Sequence, residues 1–228
     1  MGAIFRREVR SYFTSPIGYI FLAAFYAYSG VMFANYSLES GYTRLDSVFS
    51  ALLIIIIVLI PVLTMRTISE EKRTKTDQCL LTAPVGLGSI VVGKFLAAFL
   101  IYIIAIAITG VFAVRATECV VVGNIVALAL VGGAYIAIGI FCSSFTENQI
   151  VAAVISFIAL IFVSFLSTIG NLLPFEWLTT VCEKVSFGER YYSFTYGLFD
   201  FSNVVFFLSA IVAFLFLTVR VLEKRRWG

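Results

Sequence analysis

Six long stretches without a charged residue constrain the fold of this chain more than any other feature. They are 19 to 28 residues long and cover 11–38, 47–65, 95–114, 119–146, 148–175 and 201–219. A helix needs about 20 apolar residues to cross roughly 30 Å of hydrocarbon, where its peptide groups must be bonded internally. The pattern predicts an all-α integral membrane protein. Its six transmembrane helices would span about 17–37, 47–65, 90–114, 124–144, 148–168 and 203–221.

Composition excludes several other classes. The 228 residues are 61% apolar and 13% charged, whereas soluble domains average about 45–50% and 25%. This excludes a soluble enzyme, a disordered chain and a nucleic-acid module. The sequence has no histidine, so imidazole catalysis and histidine-ligated metals are excluded. The four cysteines form no C-x-x-C motif and predict no metal site; a disulfide between Cys119 and Cys182 is left open.

Basic residues predict the orientation. With six spans both termini share one side, and that side would carry twelve of the sixteen Lys and Arg residues. The positive-inside rule therefore places both termini in the cytoplasm. No charged residue falls deep in a span, which argues against a proton relay or an ion-coupled transporter. Lys94 can snorkel if the third span starts near Ile90.

The stretch 3–14 predicts a helix lying on the membrane surface. Its apolar residues recur at helical spacing and its basic residues occupy other faces. The apolar set is Phe5, Val9, Tyr12 and Phe13, and the basic set is Arg6, Arg7 and Arg10. The helix either serves only as a basic flank that fixes topology or also contacts a partner.

The segment 66–89 is the most structured polar piece. Thr67 and Glu70 fit a capping box, which predicts a helix from Ile68 to Leu81 that ends before Pro84. This helix begins charged and ends apolar, so its tip could enter a groove on a cytoplasmic partner. The alternative is a solvated loop whose leucines dip into the membrane interface.

The outer segment 169–202 is rich in aromatic residues, which are typical of a membrane interface. They include Phe175, Trp177, Phe187, Tyr191 and Tyr192. Two short helices that enter the outer leaflet partway would fit this composition. The segment is interpreted either as an aromatic belt or as a cap over the exit of a pathway.

Four motifs in order resemble one known family. The stretch "RTISEEKRTKTDQCLLTAPVGLGSIVVGK" (66–94) resembles the signature cytoplasmic loop of ABC-2-type permeases. The motifs "FRREVRSYFTSPIGYIF", "SSFTENQIVA" and "FFLSAIVAFLFLTVRVLEKRRW" resemble the gliding-motility-associated permease subgroup. One departure is Lys75-Thr76-Asp77, where the family has Gly-Thr followed by an apolar residue.

The resemblance implies a permease subunit of an exporter in the bacterial cytoplasmic membrane. It would form a homodimer or heterodimer with a second permease subunit, with an accessory membrane protein left open. A separate ATP-binding cassette subunit would bind ATP and Mg²⁺, because this chain has no G-x-x-x-x-G-K-[ST] loop and no catalytic residue is implied. The helix after the second span would be the coupling helix that contacts the ATPase. A second contact with the ATPase would come from Phe5, Arg6, Arg7 and Arg10. The outer segment would form re-entrant helices. The coupling residues would be Ile68, Glu70, Glu71, Lys72, Arg73, Thr76, Leu80, Leu81 and Pro84.

Other classes stay open at this point. An ATP-independent channel, a secondary transporter or an assembly scaffold would need no partner at 66–89. A lipid-modifying enzyme would need acidic groups at one interface, and the outer candidates are Glu176, Glu183, Glu189 and Asp200. Lipids, hydrophobic peptides, glycolipids and drugs are all compatible substrates.

Overall fold

The computed structural model describes residues 2–38, 45–76, 86–113, 119–171, 176–195 and 200–227. All the regular structure within these ranges is helical. The helices are α1 (Gly2–Thr14), α2 (Pro16–Phe33, continued by a π-helical turn Ala34–Leu38), α3 (Leu45–Thr64), α4 (Ser69–Arg73), α5 (Leu87–Ala113), α6 (Cys119–Ser143), α7 (Gln149–Ser164), α8 (Leu166–Asn171), α9 (Glu176–Val185), α10 (Phe187–Thr195) and α11 (Phe201–Trp227).

Five of these helices, α2, α3, α5, α6 and α11, are long and apolar enough to cross a membrane. The predicted all-α membrane class is therefore confirmed. Helix α6 lies at the centre, with 72% of its apolar window buried, whereas only 11% of the α11 window is buried. Helix α6 packs against α3, α5, α7 and α11. Two glycines of α6 allow this close packing, because a Cβ at Gly132 would lie 2.1 Å from the Tyr102 ring and one at Gly139 would lie 2.3 Å from Thr64 Oγ1.

The fifth charge-free run forms a shorter helix than the sequence predicts. Helix α7 has 16 residues, which gives about 24 Å of rise against roughly 30 Å of hydrocarbon. Its regular geometry stops at Phe165, and α8 follows at once. The carbonyl of Ser164 there accepts a hydrogen bond from Ser186 Oγ at 3.4 Å, and a Cβ at Gly188 would approach that same carbonyl to 2.6 Å. The outer helices, α9 and α10, thus occupy the place where a longer α7 would continue. The count of six spans stays a prediction.

Both termini lie at the same end of the helix bundle. Arg225 of α11 pairs with Glu147 at 3.1 Å, in the short connection between α6 and α7. Arg7 of α1 pairs with Glu71 of α4 at 2.7 Å, and the neighbouring Lys72 donates to the Ser144 carbonyl. Helices α9 and α10 lie at the opposite end, where Tyr191 of α10 bonds to Phe49 near the start of α3 and Arg190 of α10 bonds to Asn203 near the start of α11.

Candidate functional site

Helix α4 is short and ends in a Schellman motif in which Lys75 occupies the position that is usually glycine. The Lys75 N–H donates to the Lys72 carbonyl at 3.2 Å and the Thr76 N–H donates to the Glu71 carbonyl at 3.0 Å, the two bonds of a Schellman motif. Lys75 adopts the left-handed conformation that this motif requires, with φ of 56°. The predicted continuous helix Ile68–Leu81 is therefore wrong at 74–76, because the chain turns there. Leu80, Leu81 and Pro84 lie outside the described residues.

The predicted capping box is also wrong. The Thr67 side chain is buried and its Oγ1 lies 3.4 Å from the Tyr12 hydroxyl, so it does not cap α4. Glu70 instead accepts two hydrogen bonds from the Arg66 guanidinium at 2.5 and 2.6 Å. The first N–H groups of this region, those of Ile68 and Ser69, donate to Ser143 Oγ at 3.3 and 3.2 Å. The cap comes from a distant helix end that local spacing does not reveal.

A buried lysine is the centre of an ion cluster that joins α1, α4 and α5. The ammonium of Lys94 lies 2.9 Å from Glu71 Oε1 and 3.3 Å from Glu8 Oε1, and it donates to the Thr67 carbonyl at 2.7 Å. Its three acceptors match the three protons of an ammonium group. Lys94 is only 3% exposed, so the predicted snorkelling is wrong. The acids of α1 and α4 offset the cost of burying the charge.

Arg7 and Tyr12 complete the attachment of α1. Arg7 binds Glu8 at 2.6 Å and Glu71 at 2.7 Å, and the hydrogen bond that Arg7 donates to Glu8 is the largest of the effects that raise the pKa of Arg7. The Tyr12 hydroxyl donates to the Leu63 carbonyl at 3.2 Å. Burial raises the pKa of Tyr12 to about 12, although the Thr67 hydrogen bond acts in the opposite direction. Helix α1 is therefore fixed to the end of α3 as well as to α4.

The other side of α4 is attached to the connection between α6 and α7. Lys72 is buried and donates to the Ser144 carbonyl, while Ser143 accepts from the start of α4. Ile68 is buried in the same core. Arg73 and Thr76 are exposed. Of the predicted coupling residues, Ile68 and Lys72 are thus buried in the protein, and Glu71 lies in the ion cluster.

Two polar hollows flank α4. The first has a volume of about 380 Å³ and lies between α1 and α4, over the ion cluster. The second has a volume of about 420 Å³ and separates Arg73 from the α6–α7 connection. The second hollow is lined by Arg73, Glu147, Asn148, Gln149 and Ile150. An element of another protein could enter from this end of the bundle and reach both surfaces of α4.

The other predicted contact residues of α1 are either partly buried or exposed. Phe5 is partly buried against the core that includes α5. Arg6 and Arg10 are exposed. Sequence reasoning missed Glu8 and the role of Lys94. The signal for both was present, because an acid stands inside a basic helix and a lysine stands inside an otherwise apolar one.

Of the two outer helices, α10 is packed into the bundle, whereas the described side chains of α9 are mostly exposed. Tyr191 is fully buried and its hydroxyl donates to the Phe49 carbonyl of α3 at 2.8 Å. The Phe187 ring stacks on the Tyr135 ring, with centroids 5.9 Å apart. Tyr192, by contrast, is exposed. Phe175 and the Trp177 side chain lie outside the described structure.

Further polar contacts join these outer helices to their neighbours. Ser167 of α8 donates to Glu189 at 3.1 Å. Arg190 donates to Asn203 Oδ1 at 2.7 Å and lies over the Phe206 ring, 4.0 Å from its centroid. Cys182 is a free thiol beside Gly170, and the side chain of Cys119 lies outside the described structure.

These features define a helical membrane protein with several apolar passes and a compact polar site at the end that carries both termini. Residues 27–221 match the family model described as ABC-2 family transporter protein, and the chain belongs to that family. No curated protein matches the chain. The family consists of membrane permeases of ABC transporters, and the chain is accordingly a membrane transport component. The match begins inside α2, so α1 and its part of the ion cluster lie outside it.

Proposed function

We propose that this chain is the permease subunit of an ABC-2-type exporter, in which a separate subunit binds ATP and Mg²⁺ and hydrolyses the ATP. The permease would lie in a bacterial cytoplasmic membrane with the α4 end in the cytoplasm, as the distribution of Lys and Arg predicts. The family match supports the transport role. The four motifs in the sequence support the finer assignment to the gliding-motility-associated subgroup.

The observation that carries this proposal is the set of bonds around α4. This helix has only five residues, yet it bonds to α1 through Arg7, to α5 through Lys94 and to the α6–α7 connection through Ser143 and Ser144. A partner that displaced α4 would therefore displace three other elements with it. A displacement of α4 by a partner would in this way be transmitted through packed elements as a rigid-body movement of helices.

The partner would contact the exposed surface of α4 and its turn. Arg73, Lys75 and Thr76 are exposed there and are the described residues best placed to touch an ATPase. Glu70, Glu71 and Lys72 would then act by holding α4 in place rather than by direct contact. Leu80, Leu81 and Pro84 are kept as further contacts on the strength of the family resemblance.

The transport path would open at an interface with a second permease subunit, identical or different. Helices α9 and α10 would form its outer boundary as re-entrant helices. The burial of α10 against α3 and α6 supports a structural part for that helix at this end of the bundle.

The test is affinity purification of the chain in mild detergent from its native host, followed by lysine crosslinking and mass spectrometry. We expect an ATP-binding cassette protein to copurify and to crosslink at Lys75. Lys72 serves as the internal control, because its ammonium is buried and should react little. If the chain copurifies with no ATPase under conditions that preserve a known ABC exporter, the proposal fails and an ATP-independent channel, secondary transporter or scaffold takes its place.

A further inference from the structure

An apolar groove of about 510 Å³ lies between α1 and α5. It is separate from the ion cluster, which involves Arg7 and Glu8 on another side of α1. The groove is lined by Gly2, Phe5, Leu96, Phe99, Leu100 and Ile103. All six residues are apolar, and none of them belongs to the ion cluster.

The groove runs from the membrane surface toward the interior. Its four residues on α5 recur at i, i+3, i+4 and i+7, so they form a single stripe on a membrane-spanning helix. From Leu96 to Ile103 the stripe rises by about 10 Å. Helix α1 crosses the α5 helix near the beginning of this stripe, where a Cβ on Gly93 would touch Ile4 at 3.2 Å. One end of the groove therefore lies at α1, and the other lies deeper in the same leaflet.

The floor of the groove is held rigidly. The Phe99 ring stacks on the Phe95 ring with centroids 5.6 Å apart and an interplanar angle of 12°. On its other side a Cβ at Gly133 of α6 would come within 3.2 Å of Phe99. Because these contacts fix the ring, the concave shape exists before anything binds, which lowers the entropic cost of binding.

Two exposed cations continue along α1 from the end of the groove. Arg6 is one helical turn from Gly2, which lines the groove, and Arg10 is one turn further along the same face of α1. Both are exposed, and neither forms an ion pair with the residues that the structure describes. An apolar groove that ends at a helix face bearing cations is complementary to a phosphate attached to an acyl chain.

We propose that this groove holds one acyl chain of a phospholipid from the leaflet on which α1 lies, and that Arg6 and Arg10 bind its phosphate. An acyl chain is already in hydrocarbon elsewhere in the bilayer, so the groove favours it through van der Waals packing against a preformed concave surface rather than through the hydrophobic effect. The two arginines favour an anionic headgroup. The bound lipid is a resident component that joins α1 to α5, independent of what the protein transports.

The experiment uses the full chain in nanodiscs of phosphatidylcholine that contain a small fraction of phosphatidylglycerol with a photoreactive group on one acyl chain. After irradiation, mass spectrometry maps the labelled residues. We expect label at Phe5 and along 96–103, and we expect unlabelled phosphatidylglycerol to compete better than phosphatidylcholine. Arg6→Gln and Arg10→Gln should each weaken this competition roughly fivefold, whereas Lys224→Gln, which removes an exposed cation elsewhere, should not.

Occlusion of the groove provides an independent test. Leu100→Trp should abolish the label, and Ile103→Trp should do so at the deeper end without touching α1. Val212→Trp adds the same side chain to the exposed face of α11 and should leave the label unchanged. Equal labelling of α5 and α11, or label that survives both occluding variants, would show ordinary bulk lipid and overturn the proposal. A crosslink from the groove to another polypeptide in place of lipid would show a protein interface instead.

Discussion

The ammonium of Lys94 and the carboxylate of Glu71 form an ion pair of 2.9 Å between a membrane-spanning helix and the five-residue helix α4. Glu71 also binds Arg7 of α1 at 2.7 Å, so one carboxylate connects three helices. Surface ion pairs contribute little to stability, but here the lysine is buried and both acids are largely covered. The pair therefore determines how α1, α4 and α5 sit together.

Lys94→Met should destabilise the fold, because Glu71 and Glu8 lose their buried counterion. Removing one partner of a buried ion pair typically costs about 3–5 kcal/mol. Thermal unfolding in a fixed detergent measures the loss, with Lys224→Met at an exposed position as the control. The double variant Lys94→Met with Glu71→Gln should recover part of it. Equal melting temperatures of Lys94→Met and the parent would contradict this account of the cluster.

Lys75→Gly should stabilise the protein by about 1 kcal/mol, because glycine adopts positive φ without the steric cost that other residues pay. Lys75→Ala is the matched control, since alanine removes the same ammonium but keeps the Cβ. Chemical or thermal unfolding of the three proteins tests this prediction. If alanine stabilises as much as glycine, charge rather than backbone strain is the cause.

Arg73→Glu should weaken association with the proposed ATPase while leaving the unfolding temperature of the permease unchanged, because Arg73 is exposed. Double charge reversal at Glu70 and Glu71 should impair assembly too, but with a loss of stability, since these acids bind Arg66, Arg7 and Lys94. Copurification yield and melting temperature, measured together, separate the two effects. A stable double reversal that copurifies normally would refute the role assigned to α4.

Tyr12 should make stability fall between about pH 10 and pH 12. Burial raises its pKa to about 12, whereas an unfolded tyrosine ionises near pH 10. In this window the unfolded chain releases the proton first, so rising pH favours unfolding by up to about 3 kcal/mol. Melting temperatures of the parent and Tyr12→Phe across this range test the effect, with Tyr19→Phe as the exposed control. The Tyr12→Phe curve should lose this slope, and an unchanged slope would assign it to another group.

Gly139→Ala should destabilise the bundle, because the new Cβ would lie 2.3 Å from Thr64 Oγ1. Overpacking of this kind typically costs about 1–3 kcal/mol. Gly123→Ala, in the same helix but with open space around it, should be neutral or slightly stabilising. Adding Thr64→Ala should restore much of the stability lost at Gly139. A Gly139→Ala protein as stable as the parent would show that α3 and α6 can separate freely.

The sequence was sufficient for the fold class because hydropathy acts over whole helices. Twenty apolar residues in a row have few stable alternatives in a bilayer, so α2, α3, α5, α6 and α11 could all be predicted. The break after Ser164 could not, because it depends on Ser186 and Gly188 packing against the end of α7. Such contacts join residues that are distant in the chain.

The polar site shows the same division. The Thr67–Glu70 spacing suggested a local cap, but Thr67 bonds to Tyr12 and the cap comes from Ser143. Lys94 looked like an interfacial lysine because its partners, Glu8 and Glu71, lie on other helices. Single-sequence patterns report local geometry well, whereas ion clusters built from three elements are determined by tertiary packing.

The burial of three aromatic side chains opposes any movement of α10 away from the bundle. Phe187, Tyr191 and Phe194 are each at most 3% exposed, and moving one such ring into water costs about 1.5–3 kcal/mol. Together they oppose exposure of this face of α10 to water by roughly 5–9 kcal/mol. Helix α10 is thus a fixed part of its end of the bundle, and a movement that exposed this face would need an external source of free energy.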